Sequence, residues 1–201
     1  MFEDVLLAQQ DYFHTDETKS LSFRKDQLRK LKKAIQAHEG AINEALRLDL
    51  NKSEFEAYTT EVGFCLSSIE YTLKHMDKWA KSRRVPTPLL NFYSSSRIIP
   101  EPLGTVLIIG PYNYPFQLII EPLIGALCAG NTAILKPSEH AVHTEKVIVD
   151  LITSTFDPKL VTIITGDDKV TNALGHLNVE HIFFTGSTKV GKIVYTAASH
   201  Q

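Results

Sequence analysis

Apolar residues recur every three or four positions over the first eighty or so residues, then give way to short unbroken apolar runs separated by Gly and Pro. In LSFRKDQLRKLKKAIQAHEGAINEALRLDL, Phe23, Leu28, Leu31, Ile35 and Ile42 fall mostly at helical steps. This spacing predicts an amphipathic helix, broken near His38-Glu39-Gly40. In SEFEAYTTEVGFCLSSIEYTLKHMDKWAKS, Tyr58, Val62, Leu66, Ile69 and Leu73 form a second stripe that reads as core. Ser53 followed three residues later by Glu56 has the form of a capping box at its start. The prolines, serines and β-branched residues of RVPTPLLNFYSSSRIIPE (84–101) suggest extended strands or a linker.

From about residue 102 the rhythm becomes strand, helix, strand. Runs at 105–110, 131–139, 160–165 and 179–187 read as strands, the second ending in a turn. Segments 115–130, 143–156, 168–176 and 187–200 read as helices, with Gly130-Asn131 as a stop signal. Four apolar strands alternating with helices predict an α/β fold. Its core is a Rossmann-like parallel sheet with helices on both faces, preceded by an all-helical N-terminal segment. The expected divisions are a helical segment at 1–83, bridging strands at 84–101 and a nucleotide-binding-type segment at 102–201.

Composition narrows the function classes. The chain has 201 residues, 43 % of them hydrophobic, and a formal net charge of −2, so no basic surplus points to nucleic acid. The short basic cluster KSRRVP follows a helical stretch and reads as a solvated helix end. Cys65 and Cys128 have neither metal nor disulfide spacing, which fits a reducing compartment. The N-terminus lacks a basic signal-peptide region. No uncharged run approaches the roughly 20 residues that span a bilayer. A soluble cytoplasmic protein is expected.

Ligands of such sheets bind beyond the carboxyl ends of the strands. Those ends here carry GPYN, KPSE, TGDD and TGSTKVG, which should converge on one rim. In the last, Gly186 permits close backbone approach and Ser187 can cap the next helix, whose start could take a phosphate. The Gly186 to Gly191 spacing matches neither GxGxxG nor a P-loop, so on spacing alone an ordinary capped helix is the favoured reading over a phosphate site. In KPSE, Lys136 and Glu139 could grip vicinal hydroxyls, or form a surface pair worth under about 1 kcal/mol. Asn113, between Pro111 and Pro115, could bond only its own backbone or could offer an amide to a developing oxyanion. Cys65 and Cys128 lie in apolar helical runs and read as core thiols, not nucleophiles. His140 and His143 have ligand-like spacing but lie in the loop after KPSE, and no metal site is expected.

The order and spacing of EPLGTVLIIGPYNYPFQLIIEPLIGALCAGNTAILKPSE and HIFFTGSTKVGKIV resemble the NAD(P)-dependent aldehyde dehydrogenase superfamily. FEAYTTEVGF and the TGDD exit are most similar to its class 3-like, fatty-aldehyde branch, and the resemblance covers essentially the whole chain. It implies that Asn113 is the oxyanion-hole amide, in a motif that usually reads PWNYP; here Tyr112 replaces the Trp. It implies that Pro111 and Tyr112 border the cofactor, that Lys136 contacts the adenosine ribose and that Glu139 accepts from the ribose hydroxyls. That carboxylate disfavours a 2′-phosphate, so NAD is expected, with NADP possible. The strand exit Phe184, Thr185, Gly186 and Ser187 matches the family's, Ser187 at the pyrophosphate and Val190 on the adenine side.

The family's general-base Glu, its nucleophilic Cys and the C-terminal arm that completes a homodimer fall beyond residue 201. The resemblance therefore implies the cofactor-binding part of a longer enzyme that oxidises an aldehyde to a carboxylic acid, inactive by itself. A non-catalytic nucleotide-binding or interaction module is the alternative expectation.

Overall fold

Leu21–Leu50 form a single helix of 30 residues in the computed structural model, which describes residues 2–199. The expected break at His38-Glu39-Gly40 is not there. Ile35 and Ile42, two turns apart, are both fully buried on one stripe, so tertiary packing carries the helix through. Gly40 is exposed with open space at its missing Cβ, and costs only about 1 kcal/mol of helix propensity.

The helix just described is α2; before it lies α1 (Phe2–Phe13), and after it α3 (Glu54–Ala57). A π turn over Tyr58–Val62 leads from α3 into α4 (Gly63–Trp79). Ser53 caps α3, its hydroxyl accepting from the Glu56 N–H at 3.2 Å, as the capping signature requires. Gly63 donates its N–H back to the Tyr58 carbonyl, five residues away, which defines the π turn. A Cβ on Gly63 would stand 2.9 Å from that carbonyl oxygen. The turn rotates the expected stripe: Val62 and Ile69 are buried, but Tyr58 is 44 % exposed and Glu61 takes a core position instead.

Two strands, β1 (Arg83–Val85) and β2 (Ser96–Ile98), pair antiparallel within the segment expected to be extended. The main sheet contains β3 (Thr105–Ile109), β4 (Thr132–Lys136), β5 (Val161–Ile163) and β6 (His181–Phe184), all parallel, in the order β5-β4-β3-β6. The connecting helices are α5 (Gln117–Ala129), α6 (Val142–Thr155) and α7 (Asp168–Leu174), and α8 (Thr188–Ala198) follows β6. The expected helix end at His200 lies outside the described residues.

Alternate residues of the strands face two cores. Val106, Ile108, Ala133, Leu135 and Val161 join α5 and α6, over which α2 and α4 add a further layer. Leu107, Ile109 and Ile134 face the other way, against Leu6 of α1, Leu174 of α7 and Val194 of α8. The helices of the first eighty residues therefore complete both faces of the sheet. Helix α1 is also tied by Gln9, whose buried amide donates to the carbonyls of Ala133 and Pro158 at 2.9 and 3.1 Å.

Polar side chains from the N-terminal helices close the ends of the sheet helices. The Asp49 carboxylate accepts from the backbone N–H groups of His143 and Thr144 at 3.1 and 2.7 Å, and from the Thr144 hydroxyl at 2.8 Å. It serves as the cap that α6 lacks in its own sequence, where Ala141 stands. At the far end of α5, Gly130 adopts φ 92° and lies against the buried Arg24, whose Nε would be 2.6 Å from a Cβ there. Replacing Asp49 with Ala should cost about 1–2 kcal/mol, in line with loss of a cap. A urea denaturation midpoint for D49A equal to that of the parent chain would show that the contact contributes nothing.

Candidate functional site

Parallel register sets three of the strand exits side by side. Ile109 pairs with Lys136 on one side and with Phe184 on the other. The ladder continues one residue into the loops, where Gly110 donates to the Lys136 carbonyl and Thr185 to the Ile109 carbonyl, each at 3.1 Å. The loops carrying Pro111-Tyr112-Asn113, Pro137 to Glu139 and Gly186-Ser187 therefore leave one rim together. Helix α5 follows its strand onto one face and α8 follows its strand onto the other, so the crevice between β3 and β6 is the switch point of the sheet.

Asn113 is exposed, and its side-chain amide makes no hydrogen bond among the described residues. It does not spend itself on its own backbone. Its main-chain carbonyl accepts from Lys52 Nζ at 3.2 Å, and the same ammonium sits 3.9 Å from the centroid of the Tyr114 ring. Tyr112 is exposed and meets His140 edge-on, with ring centroids 6.2 Å apart, so the loops after β3 and β4 touch.

Lys136 and Glu139 are not the surface pair that the spacing allowed. Lys136 is 1 % exposed, and its ammonium donates to the Pro137 carbonyl at 2.6 Å and to Glu139 Oε2 at 3.1 Å. Partial burial by itself would raise the Glu139 carboxyl. Its own backbone N–H, the Lys136 hydrogen bond and charge, and His140 outweigh that and hold it below the ordinary carboxylate range. Glu139 is thus an ionised acceptor at neutral pH. Glu145, one turn into α6, goes the other way: burial and the Glu139 charge raise it, against an opposing pull from Lys136. Its Oε1 is buried without a hydrogen-bond partner among the described residues.

At the β6 exit, Ser187 caps α8, its hydroxyl accepting from the Val190 N–H at 3.3 Å. The glycines there have a local reason. A Cβ on Gly186 would lie 2.5 Å from the Phe184 ring, and one on Gly191 3.3 Å from it. The pair makes room for this chain's own aromatic ring, which accounts for a spacing that fits no phosphate motif. Val190, in the first turn of α8, is exposed. The TGDD exit is occupied with turn chemistry: Gly166 has φ 144° and Asp167 caps α7 by accepting from Lys169 and Val170.

The two thiols stay out of the site. Cys65 is fully buried, and burial together with the charges of Glu121 and Glu61 pushes its thiol well above the ordinary value. Burial raises Cys128 as well, with Arg24 working against it. Among the described residues no group of three or more His, Cys, Asp or Glu side chains is placed to hold a metal. No described helix is long and apolar enough to cross a membrane.

Sequence reasoning missed Lys52 and Glu61, which meet beneath Asn113. Nine residues and a non-helical joint separate them, so no periodic spacing connects them. The available signal was Glu61 itself, a carboxylate beside Val62 on the stripe expected to be core.

A parallel sheet with helices on both faces, whose neighbouring loops carry an uncommitted amide, an ionised carboxylate and a neutral-capped helix start, is a Rossmann-like α/β fold. The aldehyde dehydrogenase family model matches residues 3–201, and the chain belongs to that family. The 4,4′-diaponeurosporen-aldehyde dehydrogenase of Staphylococcus aureus is 53 % identical over 188 residues, covering 94 % of this chain and 41 % of its own length. Aldehyde dehydrogenase family 3 member B3 of Mus musculus is 41 % identical over 198 residues, covering 98 % of this chain and 41 % of its own. A substrate-bound structure of Staphylococcus aureus AldH superposes with a TM-score of 0.97 at 50 % identity, over all of this chain and 44 % of that one. These relatives are class 3-type enzymes, the match falls on their N-terminal part, and this chain spans about two fifths of their length.

Ionisation of Glu145 should oppose folding. Its folded-state value is raised above the unfolded one, so the native state holds the proton longer. The charged form then lowers stability as pH rises from the unfolded value through the raised one. Glu145→Gln should therefore raise the urea midpoint at pH 7 and leave it nearly unchanged at pH 3, where both states are protonated. The opposite pH trend would contradict the assignment.

Proposed function

We propose that this chain is the NAD-binding part of an aldehyde dehydrogenase that oxidises an aldehyde to a carboxylic acid. The observation that carries this reading is the distribution of negative charge over the rim. Helix α5 starts on Glu61, α6 on Asp49, and α7 on Asp167 with Asp168. Helix α8 starts on the neutral hydroxyl of Ser187, with no acidic residue in its first turn. Among the described rim helices it alone leaves its positive end free for an anion. That fits a dinucleotide's pyrophosphate over Ser187, flanked by Phe184, Thr185, Gly186 and Val190. Glu139, ionised and steered by Lys136, then lies one loop away to accept from ribose hydroxyls. The same negative charge would repel a 2′-phosphate, so the reading favours NAD and leaves NADP as the weaker ligand. Structures of family members contain either cofactor; one of 25 % identity and TM-score 0.86, the betaine aldehyde dehydrogenase of Staphylococcus aureus, is in complex with NAD+.

Bound there, NAD would supply the hydride acceptor. This chain would supply the amide of Asn113, whose N–H₂ can donate to the aldehyde oxygen as negative charge grows on it. Pro111 and Tyr112 would border the cofactor beside it. On this reading the nucleophile lies outside residues 1–201, because Cys65 is fully buried and Cys128 is away from the rim, with burial raising both thiols. The isolated chain should then bind NAD and turn over no aldehyde. Activity of the whole enzyme, its dimerisation through further chain and a cytoplasmic setting belong to the same proposal. A purely binding or interaction role for the chain is separated from it by the loaded enzyme's chemistry.

Calorimetric titration of the 201-residue chain should give saturable NAD binding, weakened at least tenfold by Glu139→Ala, with NADP weaker still. In the intact enzyme Asn113→Ala should lower kcat by about 10²–10³-fold, the loss typical of one oxyanion donor, with KM for NAD little changed. Aldehyde-dependent reduction of NAD by the isolated chain would overturn the reading.

A further inference from the structure

We propose that Lys52 and Glu61 are the positioning pair for Asn113. Asn113 has an exposed side chain with no hydrogen bond of its own among the described residues to aim it, so its direction is inherited from its backbone. That backbone is gripped on two sides by one buried ion pair. Glu61 is 0 % exposed and Lys52 7 %. Glu61 Oε1 accepts from the Lys52 ammonium, while Oε2 accepts from the N–H groups of Phe116 and Gln117 at 2.9 and 3.1 Å. Lys52 directs its remaining capacity at the Asn113 carbonyl and the Tyr114 ring. The loop from Asn113 to Gln117 is thus held at its start by the cation and at its end by the anion. Both charges are consumed, so neither is free to act on a substrate.

The arrangement suits positioning better than stability. A buried pair is a poor source of net folding energy, because desolvation of the two ions offsets their attraction. What it does supply is direction: a carboxylate meets two adjacent N–H groups, and a three-donor ammonium meets a carbonyl and a ring from one point. A donor that must meet an oxyanion at hydrogen-bond distance tolerates little drift, and a displacement of about 1 Å can cost 10²-fold in rate.

The catalytic half of this inference rests on the dehydrogenase reading; the mechanical half does not, and the test separates them. In the 201-residue chain, Lys52→Met/Glu61→Met removes both charges together and strands neither. Amide hydrogen exchange at Phe116 and Gln117 should rise at least tenfold, while the β3 and β4 amides of Leu107 and Ile134 keep their protection. In the intact enzyme the same double variant should lower kcat at least tenfold with KM for NAD unchanged. Adding Asn113→Ala to it should then cost much less than Asn113→Ala costs alone, since both changes disable one donor. Unchanged exchange, or kcat losses that simply multiply, would overturn the proposal. If Asn113→Ala alone leaves kcat intact, the oxyanion role has failed and the exchange result still decides the clamp. Should the double variant not fold, Lys52→Arg keeps the charge but replaces the point donor with a planar fork. It should keep the melting temperature and lose kcat; full activity would count against the pair.

Discussion

A helix that begins inside a protein presents N–H groups that nothing in the helix can satisfy, and the fold depends on how these are met. Helices α5 and α6 have no capping side chain of their own. Glu61 and Asp49 supply the acceptors, one from the π turn and the other from the end of α2. The N-terminal helices are therefore bonded to the sheet layer at the two points where that layer most needs acceptors. Arg24 makes the reciprocal contact at the other end of α5, donating to the Cys128 carbonyl at 3.4 Å, where helix carbonyls are free and negative. Hydrophobic burial alone would permit some sliding of one helix layer over another. Directional bonds at helix ends do not, so the α5 start and the loop before it are located by the layer beneath.

Much of the fold was legible because it is periodic. Strands buried on both faces read as unbroken apolar runs, and TVLII and TAILK are buried at every position. Gly130 marked the end of α5 because only a residue tolerant of φ 92° can close it there. Local signals failed where tertiary packing overruled them. Gly40 did not stop α2, since the buried stripe from Ile35 to Ile42 stays in phase through it. Helix α1 lies within the stretch expected to be helical, but its place against the sheet was not legible, because it rests on Leu6 and on a glutamine that reaches a strand more than a hundred residues away. The site divides in the same way. Loop residues at strand exits could be proposed as functional because parallel topology alone brings those exits to one edge. Their support could not, because Lys52 and Glu61 meet through a turn that breaks helical phase. Resemblance to a family gave roles to the loop residues, and geometry corrected the setting of two of them. Lys136 is a buried donor steering Glu139, not half of a surface pair. Gly186 yields to the Phe184 ring before it yields to any ligand.

Those corrections sharpen the electrostatics of the rim. The carboxylates of Glu61, Asp49 and Asp167 at helix starts each have backbone partners, so their negative charge is bound, not available. Glu139 differs: its own backbone N–H and Lys136 hold it below the ordinary carboxylate range, yet it is a third exposed. In the proposed reading the rim offers a place for an anion over Ser187 and an ionised acceptor for hydroxyl groups at Glu139. Between them projects an amide that donates without carrying charge. A ligand with a negative centre and neutral hydroxyls matches that pattern, whereas one with negative charge at both ends meets repulsion at Glu139. A neutral amide also suits a reacting oxygen better than a lysine would. It leaves the uncharged carbonyl weakly bound and strengthens as charge develops, which is the condition for lowering a barrier instead of merely tightening binding. The cation that the loop does contain, Lys52, is turned inward to Glu61, Asn113 O and Tyr114. Its charge is neutralised by Glu61, and in the positioning proposed above it serves to hold the backbone of the amide donor in place.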